Sequence, residues 1–143
     1  MSPDMLVKGK IPDWVADMFR KVDRKDQKAA SAYFTDDCDF HFGHFHLLEG
    51  PAGVFKFMGT FNAQFPEYHH LIDEVWAGPG LVEFGGRLQF WIDDGTLVET
   101  PFYNRFFIDN SSGQPKIFKG NALVDLTALP SKYWQHLAPL ARP

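Results

Sequence analysis

Residues 68–126 decide the fold, and they read YHHLIDEVWAGPGLVEFGGRLQFWIDDGTLVETPFYNRFFIDNSSGQPKIFKGNALVDL. Within them lie four segments rich in β-branched and aromatic residues, at positions 69–77, 81–92, 96–108 and 116–126. Gly-Pro-Gly, Asp-Asp-Gly and Asn-Ser-Ser-Gly sequences separate these segments, and such turns are typical of hairpins. The stretch therefore predicts four consecutive strands of an antiparallel sheet.

A pair of glycines, Gly85–Gly86, lies in the middle of the second strand segment. Paired glycines permit a sharp bend in a strand, so we expect the sheet to curl at this point. A curled sheet covered by helices encloses a concave interior. That interior is the usual place for a small-molecule site.

The residues before the strands have the periodicity of helices. After Pro12, apolar side chains recur at helical spacing and form one face of a first helix. They are Trp14, Val15, Met18, Phe19 and Val22. Asp26 is placed as the N-cap of a second helix that runs to about Phe34. Gly50–Pro51 opens a third helix, which Pro66 ends.

The chain is long enough for one domain with a substantial core. It has 143 residues, of which 45% are hydrophobic and 16% aromatic. We expect residues 12–143 to form a single domain, preceded by a flexible arm of residues 1–11. Because helices come first and strands follow, the predicted fold class is α+β.

Charge and cysteine content exclude several classes of protein. The net charge is −4 and the basic residues are interspersed with acidic ones, so the sequence predicts no nucleic-acid partner. The single cysteine, Cys38, excludes an intramolecular disulfide and a thiolate metal cluster. No segment has the apolar length of a signal peptide or a membrane span, so we expect a cytoplasmic protein without membrane contact.

Three motifs and their order carry a family resemblance. FTDDCDF (34–40) follows the helical hairpin, LEGPAGVFKF (48–57) opens the third helix, and KIFKGNALVD (116–125) belongs to the last strand. Together they resemble the SnoaL-like, or NTF2-like, superfamily. The resemblance implies a cone in which N-terminal helices pack on a strongly curved antiparallel or mixed sheet around one pocket. It leaves the activity open, because the superfamily includes dehydratases, isomerases, polyketide cyclases, epoxide hydrolases and non-catalytic binding modules.

Two segments resemble scytalone dehydratase and the bile-acid dehydratases within that superfamily. In the hairpin turn VDRKD the catalytic aspartate of these enzymes matches Asp23, and in YHHLID their catalytic histidine matches His70. The second histidine of scytalone dehydratase has no clear counterpart, and Glu99 lies nearest. The resemblance therefore implies a catalytic dyad in which His70 moves a proton and Asp23 orients the imidazole.

Other members of the superfamily match less well. The positions of the ketosteroid isomerase tyrosine, general base and oxyanion-hole aspartate fall on Met18, Phe42 and near Asn104, a set without a titratable base. The acidic residue of SnoaL-type cyclases falls on Ala122. The Asp-Arg-Asp cluster of limonene epoxide hydrolase cannot be assembled from inward-facing positions.

The predicted pocket is apolar around the dyad. Its predicted substrate-binding residues are Met18, Phe42, His44, Phe57, Phe84, Asn104, Phe106 and Ala122. Asn104 could hold a developing oxyanion or could be an ordinary hydrogen-bonded strand residue. Asp23 could equally cap a turn, and strand register decides whether His69 or His70 points inward.

Three histidines, His41, His44 and His46, are a possible metal motif. On an extended strand His44 and His46 share a face and His41 lies on the other, so at most two could contact one ion. We therefore predict no metal site.

The sequence as a whole predicts a cofactor-independent enzyme, a dehydratase, isomerase or cyclase. Its substrate would be a hydrophobic, oxygenated small molecule such as a polyketide or terpenoid intermediate. The alternative is a non-catalytic module that binds a ligand or dimerises. Apolar residues such as Trp76, Trp91, Tyr103 and Phe107 are expected on the outer sheet face, which predicts a homodimer through that open face.

Overall fold

A computed structural model of the chain describes residues 6–47 and 50–142. Its three α-helices are α1 (Asp13–Asp23), α2 (Gln27–Ser31) and α3 (Gly50–Asn62). The apolar face of α1 is buried, as its spacing predicts, and Asp26 caps α2 by accepting a hydrogen bond from the Ala29 amide at 3.1 Å. The second helix is shorter than predicted, because the chain enters a strand at Phe34.

Eight strands of the described residues form one sheet in the order β1-β4-β5-β6-β7-β2-β3-β8. Their bounds are β1 Val7–Gly9, β2 Phe34–Phe42, β3 Phe45–Leu47, β4 Glu67–Gly78, β5 Leu81–Trp91, β6 Leu97–Asp109, β7 Lys116–Val124 and β8 Ala141–Arg142. The four predicted hairpin strands, β4 to β7, are antiparallel neighbours. The sheet as a whole is mixed, because β2 pairs with β7 in parallel. The α+β class with helices on a curved, mixed sheet is thus confirmed.

The segment predicted as an arm contributes an edge strand. Val7, Lys8 and Gly9 pair with Ala77, Trp76 and Val75 of β4. Residues 1–5 lie outside the described residues.

The sheet bends where the paired glycines lie. The β4–β5 register shifts between Ile72 and Glu74, opposite Gly85–Gly86. A side chain at Gly86 would overlap the Leu71 carbonyl, so only glycine allows the two strands to approach this closely. The bulge directs the inner faces of β4, β5 and β6 toward the helices and so creates the concave side of the sheet.

The tail folds as three short 3₁₀ segments, Leu126–Ala128, Ser131–Tyr133 and Gln135–Leu140. Tyr133 stacks on Phe65 with ring centroids 5.2 Å apart, and Leu137 is completely buried. The tail thereby seals the core beside the end of α3. None of the helices in the described part of the chain has the length and hydrophobicity needed to cross a membrane.

Candidate functional site

The site is centred on a contact between the end of α1 and the start of β4. His70 Nδ1 lies 2.6 Å from Asp23 Oδ1, and the His70 backbone amide donates to Asp23 Oδ2 at 3.2 Å. The two side chains are 9% and 18% exposed. Both oxygens of the Asp23 carboxylate therefore contact His70, one at its ring and one at its backbone amide. These two contacts fix the plane of the carboxylate relative to the imidazole.

Two further contacts hold the end of α1 against β4. The Tyr68 hydroxyl donates to the Val22 carbonyl, one residue before Asp23. Burial, with a further contribution from the Asp23 charge, raises the pKa of Tyr68 above its usual range, so the phenol remains a neutral donor. On the other side of the turn Lys25, with φ of 62°, donates from Nζ to the Phe65 carbonyl at 2.5 Å. The aspartate is therefore held on both sides by bonds to the segment that carries His70.

The imidazole of His70 lies between aromatic rings and faces the interior. Its centroid is 4.6 Å from that of Phe19 and 5.3 Å from that of Phe102. A carboxylate only accepts hydrogen bonds, so the contact with Asp23 places the ring proton on Nδ1 and leaves the Nε2 lone pair free to act as a base. The neighbouring His69 lies on the opposite face, where its Nε2 is 2.6 Å from Glu67 Oε1.

His70 borders a narrow cavity between α1, α3 and the concave face of the sheet, with a volume of about 60 Å³. Three of its lining residues carry polar side chains, namely Asn62, His70 and Asn104. The remainder are apolar: Met18, Phe19, Val22, Phe34, Phe40, Phe42, Val54, Phe55, Met58, Phe61, Leu88, Phe102, Phe106, Ala122 and Val124. No lysine, arginine or carboxylate among the described residues lines this cavity.

The structure places five predicted substrate-binding residues at the cavity wall, namely Met18, Phe42, Asn104, Phe106 and Ala122. The other three lie elsewhere, which corrects the prediction. Phe57 is buried behind the wall, against Phe42 and Phe45, because its helical position turns it toward the β2–β3 hairpin.

The remaining two corrections have similar physical reasons. Phe84 is fully buried but lies behind Phe102 and Phe106, whose rings come between it and the cavity. His44 is exposed in the turn after β2 and packs beside Phe45 with centroids 4.2 Å apart. A turn residue at this position faces water rather than the cone.

Asn62 is a cavity residue that the sequence did not reveal. It is the last residue of α3 and only 3% exposed, and its Nδ2 has no hydrogen-bond partner in the described part of the chain. The side chain of Asn104, 5% exposed, also borders the cavity. A buried amide nitrogen without a partner is unusual, so Asn62 Nδ2 is available to a ligand. No distinct signal in the sequence marked Asn62, because α3 also carries the polar residues Lys56 and Thr60.

Glu99, the nearest counterpart of a second catalytic group, lies outside the site. Its Oε2 accepts from Gln89 at 2.8 Å and is 3.8 Å from Arg87, on the outer face of the sheet. Among the described residues, the cavity wall therefore carries one histidine and two amides, and Asp23 contacts that histidine without lining the cavity itself.

The prediction for the histidine run was wrong about which side chains share a face. The chain does not continue as one strand, because it turns at Gly43, whose φ is 58°. The resulting hairpin pairs His41 with His46 and stacks their rings with centroids 4.0 Å apart. Asp39, His41 and His46 consequently form one cluster on the outer face.

The comparisons with known proteins agree with this architecture. A family model described as a SnoaL-like domain matches residues 15–110, about two-thirds of the chain. No protein of curated function matches the sequence significantly. Solved structures match over most of the chain, at identities that carry information about the fold alone.

Three of these structures illustrate the range of the fold. A candidate SnoaL-like polyketide cyclase from Jannaschia sp. CCS1 is 17% identical, covers 92% of each chain and has a TM-score of 0.70. A hypothetical protein with a ketosteroid isomerase-like fold from Catenulispora acidiphila, solved with trimethylamine, is 14% identical and has a TM-score of 0.72 over 86% of this chain and 98% of its own. AclR, a candidate hydroxylase from Streptomyces galilaeus, is 12% identical with a TM-score of 0.69 over 85% and 93%.

The family match, the cone-like fold and the cavity beneath the curved sheet agree with one another. The chain belongs to the SnoaL-like family.

Proposed function

We propose that this protein is a cofactor-independent enzyme that dehydrates, isomerises or cyclises a hydrophobic, oxygenated small molecule by acid–base chemistry. The supporting observation is His70, which borders a mostly apolar cavity and whose Nδ1 lies 2.6 Å from Asp23 Oδ1. Polyketide and terpenoid intermediates have the chemistry that suits such a cavity. A buried imidazole with one nitrogen held and the other free is the arrangement that a general base requires.

In the proposed reaction, His70 Nε2 removes a proton from a carbon next to a carbonyl group. The C–H electron pair forms an enolate, and the imidazolium is stabilised by the Asp23 carboxylate. For dehydration the enolate reforms the carbonyl, a carbon–carbon double bond forms, the bond to a β-hydroxyl breaks, and the imidazolium proton leaves with that oxygen as water. For isomerisation the same proton returns to another carbon of the enolate.

The amides of Asn62 and Asn104 provide donors for the oxygen that becomes negative. Asn104 lies on β6 and Asn62 at the end of α3, so their amide groups reach the cavity from two different elements. An amide N–H directed at a developing oxyanion in a dry cavity stabilises it more than the same contact would in water. Removing either amide is expected to slow turnover, with a smaller effect than the loss of His70.

The cavity selects for neutral and apolar ligands. The described lining residues offer no cation to pair with a phosphate or carboxylate, and burying an unpaired anion is strongly unfavourable. A volume of about 60 Å³ is also well below the several hundred Å³ typical of ligand pockets. Substrate binding must therefore displace side chains, and Met18 and Met58 are the most adaptable of those that line the cavity.

The test is a turnover assay on a panel of neutral β-hydroxy ketones and β,γ-unsaturated ketones, followed by the absorbance of the conjugated product. We expect His70→Ala to lower kcat by about 10²- to 10⁴-fold on a substrate that the wild type converts. The matched control is His69→Ala, since the adjacent His69 also contacts a carboxylate but is 43% exposed on the outer face. Equal rates in the two variants would contradict the proposal.

A non-catalytic binding module is the alternative, and the lack of a second acid–base group in the described cavity favours it. Such a module would bind neutral ketones without converting them. Tight binding of the panel with no turnover by the wild type would support this alternative over the enzyme.

Dimerisation through the open sheet face also stays a prediction. On the outer side of β6 and β7 the side chains of Tyr103, Phe118 and Leu123 are 37%, 42% and 53% exposed. A second copy of the chain would bury this apolar surface. Sedimentation equilibrium at micromolar concentration should give the mass of a dimer, and a monomer mass would contradict the prediction.

A further inference from the structure

The β2–β3 hairpin brings three metal-ligand side chains together outside the cavity. Asp39 and His41 are two residues apart on β2 and therefore share a face, and His46 on β3 pairs directly with His41. One potential ligand atom from each of the three lies within 4.8 Å of each of the others. Phe40 and Phe42 alternate with these residues on β2 and line the cavity from the opposite face, so the cluster is separate from the His70–Asp23 site.

We propose that Asp39, His41 and His46 bind a divalent transition-metal ion of the zinc and nickel class. His41 and His46 would each provide one imidazole nitrogen and Asp39 one carboxylate oxygen, with water completing the coordination. Two imidazoles and one carboxylate suit borderline ions such as Zn²⁺ and Ni²⁺ better than Mg²⁺ or Ca²⁺, which prefer oxygen ligands alone. The proposal is independent of the function proposed for the cavity.

The geometry requires only small side-chain movements. A tetrahedral ion with bonds of about 2.1 Å holds its ligand atoms about 3.4 Å apart. The present separations are up to 4.8 Å across the cluster and 2.6 Å between His46 Nε2 and Asp39 Oδ1. The ion would therefore draw the more distant ligand atoms together, move His46 Nε2 and Asp39 Oδ1 slightly apart, and replace the hydrogen bond between them.

An ion can reach the cluster from solvent. The side chains of His46 and Asp39 are 33% and 44% exposed, so no unfolding is needed for entry. The His41 ring is stacked on that of His46, which limits the rotamer freedom that binding would otherwise remove.

Basic residues lie on the strands that neighbour the cluster, and one of them, Arg142 on β8, is the register partner of His46. Lys119 on β7 is the register partner of Asp39, but its Nζ lies over the Phe107 ring at 5.4 Å from the centroid. Arg105 on β6 is engaged by Glu83 at 2.6 Å. The exposed Asp37, two residues before Asp39 on β2, adds negative charge to the same strand.

Binding would stabilise the hairpin that forms part of the cavity wall. An ion that binds only the folded chain raises Tm in proportion to the logarithm of its concentration. We therefore expect added Zn²⁺ to raise Tm by several degrees. Metal binding should leave the inner face of β2 unchanged, because the three ligand side chains project from its outer face.

The experiment is isothermal titration calorimetry of the full, metal-free chain with ZnCl₂, NiCl₂ and MgCl₂. We expect one Zn²⁺ or Ni²⁺ per chain and no saturable heat with Mg²⁺. His41→Ala, His46→Ala and Asp39→Asn should each weaken Zn²⁺ binding by more than about tenfold. His44→Ala is the matched control, since His44 lies in the same hairpin but outside the cluster, and it should bind like the wild type.

Two results would overturn the proposal. One is the lack of saturable Zn²⁺ and Ni²⁺ binding by the wild type. The other is Zn²⁺ binding that His41→Ala and His46→Ala leave intact, because the ion would then be held elsewhere on the chain. Circular dichroism melts of the metal-free variants establish that each is folded, and the conservative Asp39→Asn change preserves the shape of the hairpin if an alanine variant is unstable.

Discussion

The His70–Asp23 pair and the His46–Asp39 pair have the same contact distance, 2.6 Å, in two different surroundings. The first is 9% and 18% exposed between phenylalanine rings, and the second is 33% and 44% exposed beside another imidazole. Water screens the outer pair and a metal ion can reach it, whereas the histidine of the inner pair borders a mostly apolar cavity. Under our two proposals, the surroundings of a histidine–carboxylate contact, more than the contact itself, determine which chemistry it performs.

The largest expected difference between the two regions is in turnover. Asp23→Asn leaves the shape of the side chain nearly unchanged but removes the charge that stabilises the imidazolium, so we expect kcat to fall by on the order of 10²-fold or more. Asp39→Asn, the same change in the outer pair, should leave kcat unchanged. Steady-state kinetics on a substrate that the wild type converts measures both variants, and equal losses would remove the distinction between the two pairs.

A second difference is expected in how substitutions along β2 change the free energy of unfolding. Successive residues of this strand face the cavity and the outer cluster in turn. Phe42 is 2% exposed and packs against Phe57 and Phe61, so Phe42→Ala should lower the free energy of unfolding by about 3–5 kcal/mol. His41→Ala on the outer face should change it by less than about 1 kcal/mol in the metal-free chain. Urea unfolding followed by circular dichroism measures both, and similar values would mean that the inner face of β2 is not tightly packed.

A smaller difference is expected in how strongly two tyrosines, Tyr68 and Tyr103, make the stability of the fold depend on alkaline pH. Burial raises the pKa of Tyr68 above its usual range, whereas the outer-face Tyr103, where desolvation and the contact with Glu83 combine, reaches a pKa of about 12. A raised pKa in the folded state means that the unfolded chain releases the phenol proton first. The stabilisation is therefore complete below pH of about 10 and is lost as pH rises above it.

Replacing each tyrosine by phenylalanine separates the contributions of Tyr68 and Tyr103 to the loss of stability at alkaline pH. Tyr68→Phe should flatten the alkaline loss of stability more than Tyr103→Phe, because Tyr68 is 1% exposed and Tyr103 37%. The measurement is the urea midpoint at pH 8 and pH 11 for the wild type and both variants. A steeper loss in Tyr68→Phe than in the wild type would contradict the assignment.

Much of the fold could be predicted because local signals and long-range structure coincide. Turn sequences separate β4 to β7, and the glycines at the bend tolerate an approach that no side chain allows. The parallel pairing of β2 with β7 could not be predicted from such local signals, because it joins segments far apart in the chain. The short second helix was missed for the same reason, because pairing of Phe34 with Ile117 draws that residue into a strand.

The site was predictable only in part. The resemblance correctly paired Asp23 with His70, and five cavity residues followed from strand alternation or helix position. Phe57 and Phe84 were misplaced because an inward direction does not distinguish a cavity wall from the layer behind it. The outer cluster was missed because one turn at Gly43 converts a strand into a hairpin and reverses which histidines share a face.

The central claim is that His70 moves a proton inside the cavity, and hydrogen–deuterium exchange tests it without knowledge of the final product. A neutral ketone that binds the wild type is incubated with the protein in D₂O, and deuterium at the carbon next to the carbonyl is measured by mass spectrometry. We predict incorporation by the wild type and by His69→Ala, and a loss of about 10²-fold or more in His70→Ala. Incorporation by His70→Ala at the wild-type rate, with ketone binding retained, would contradict the account.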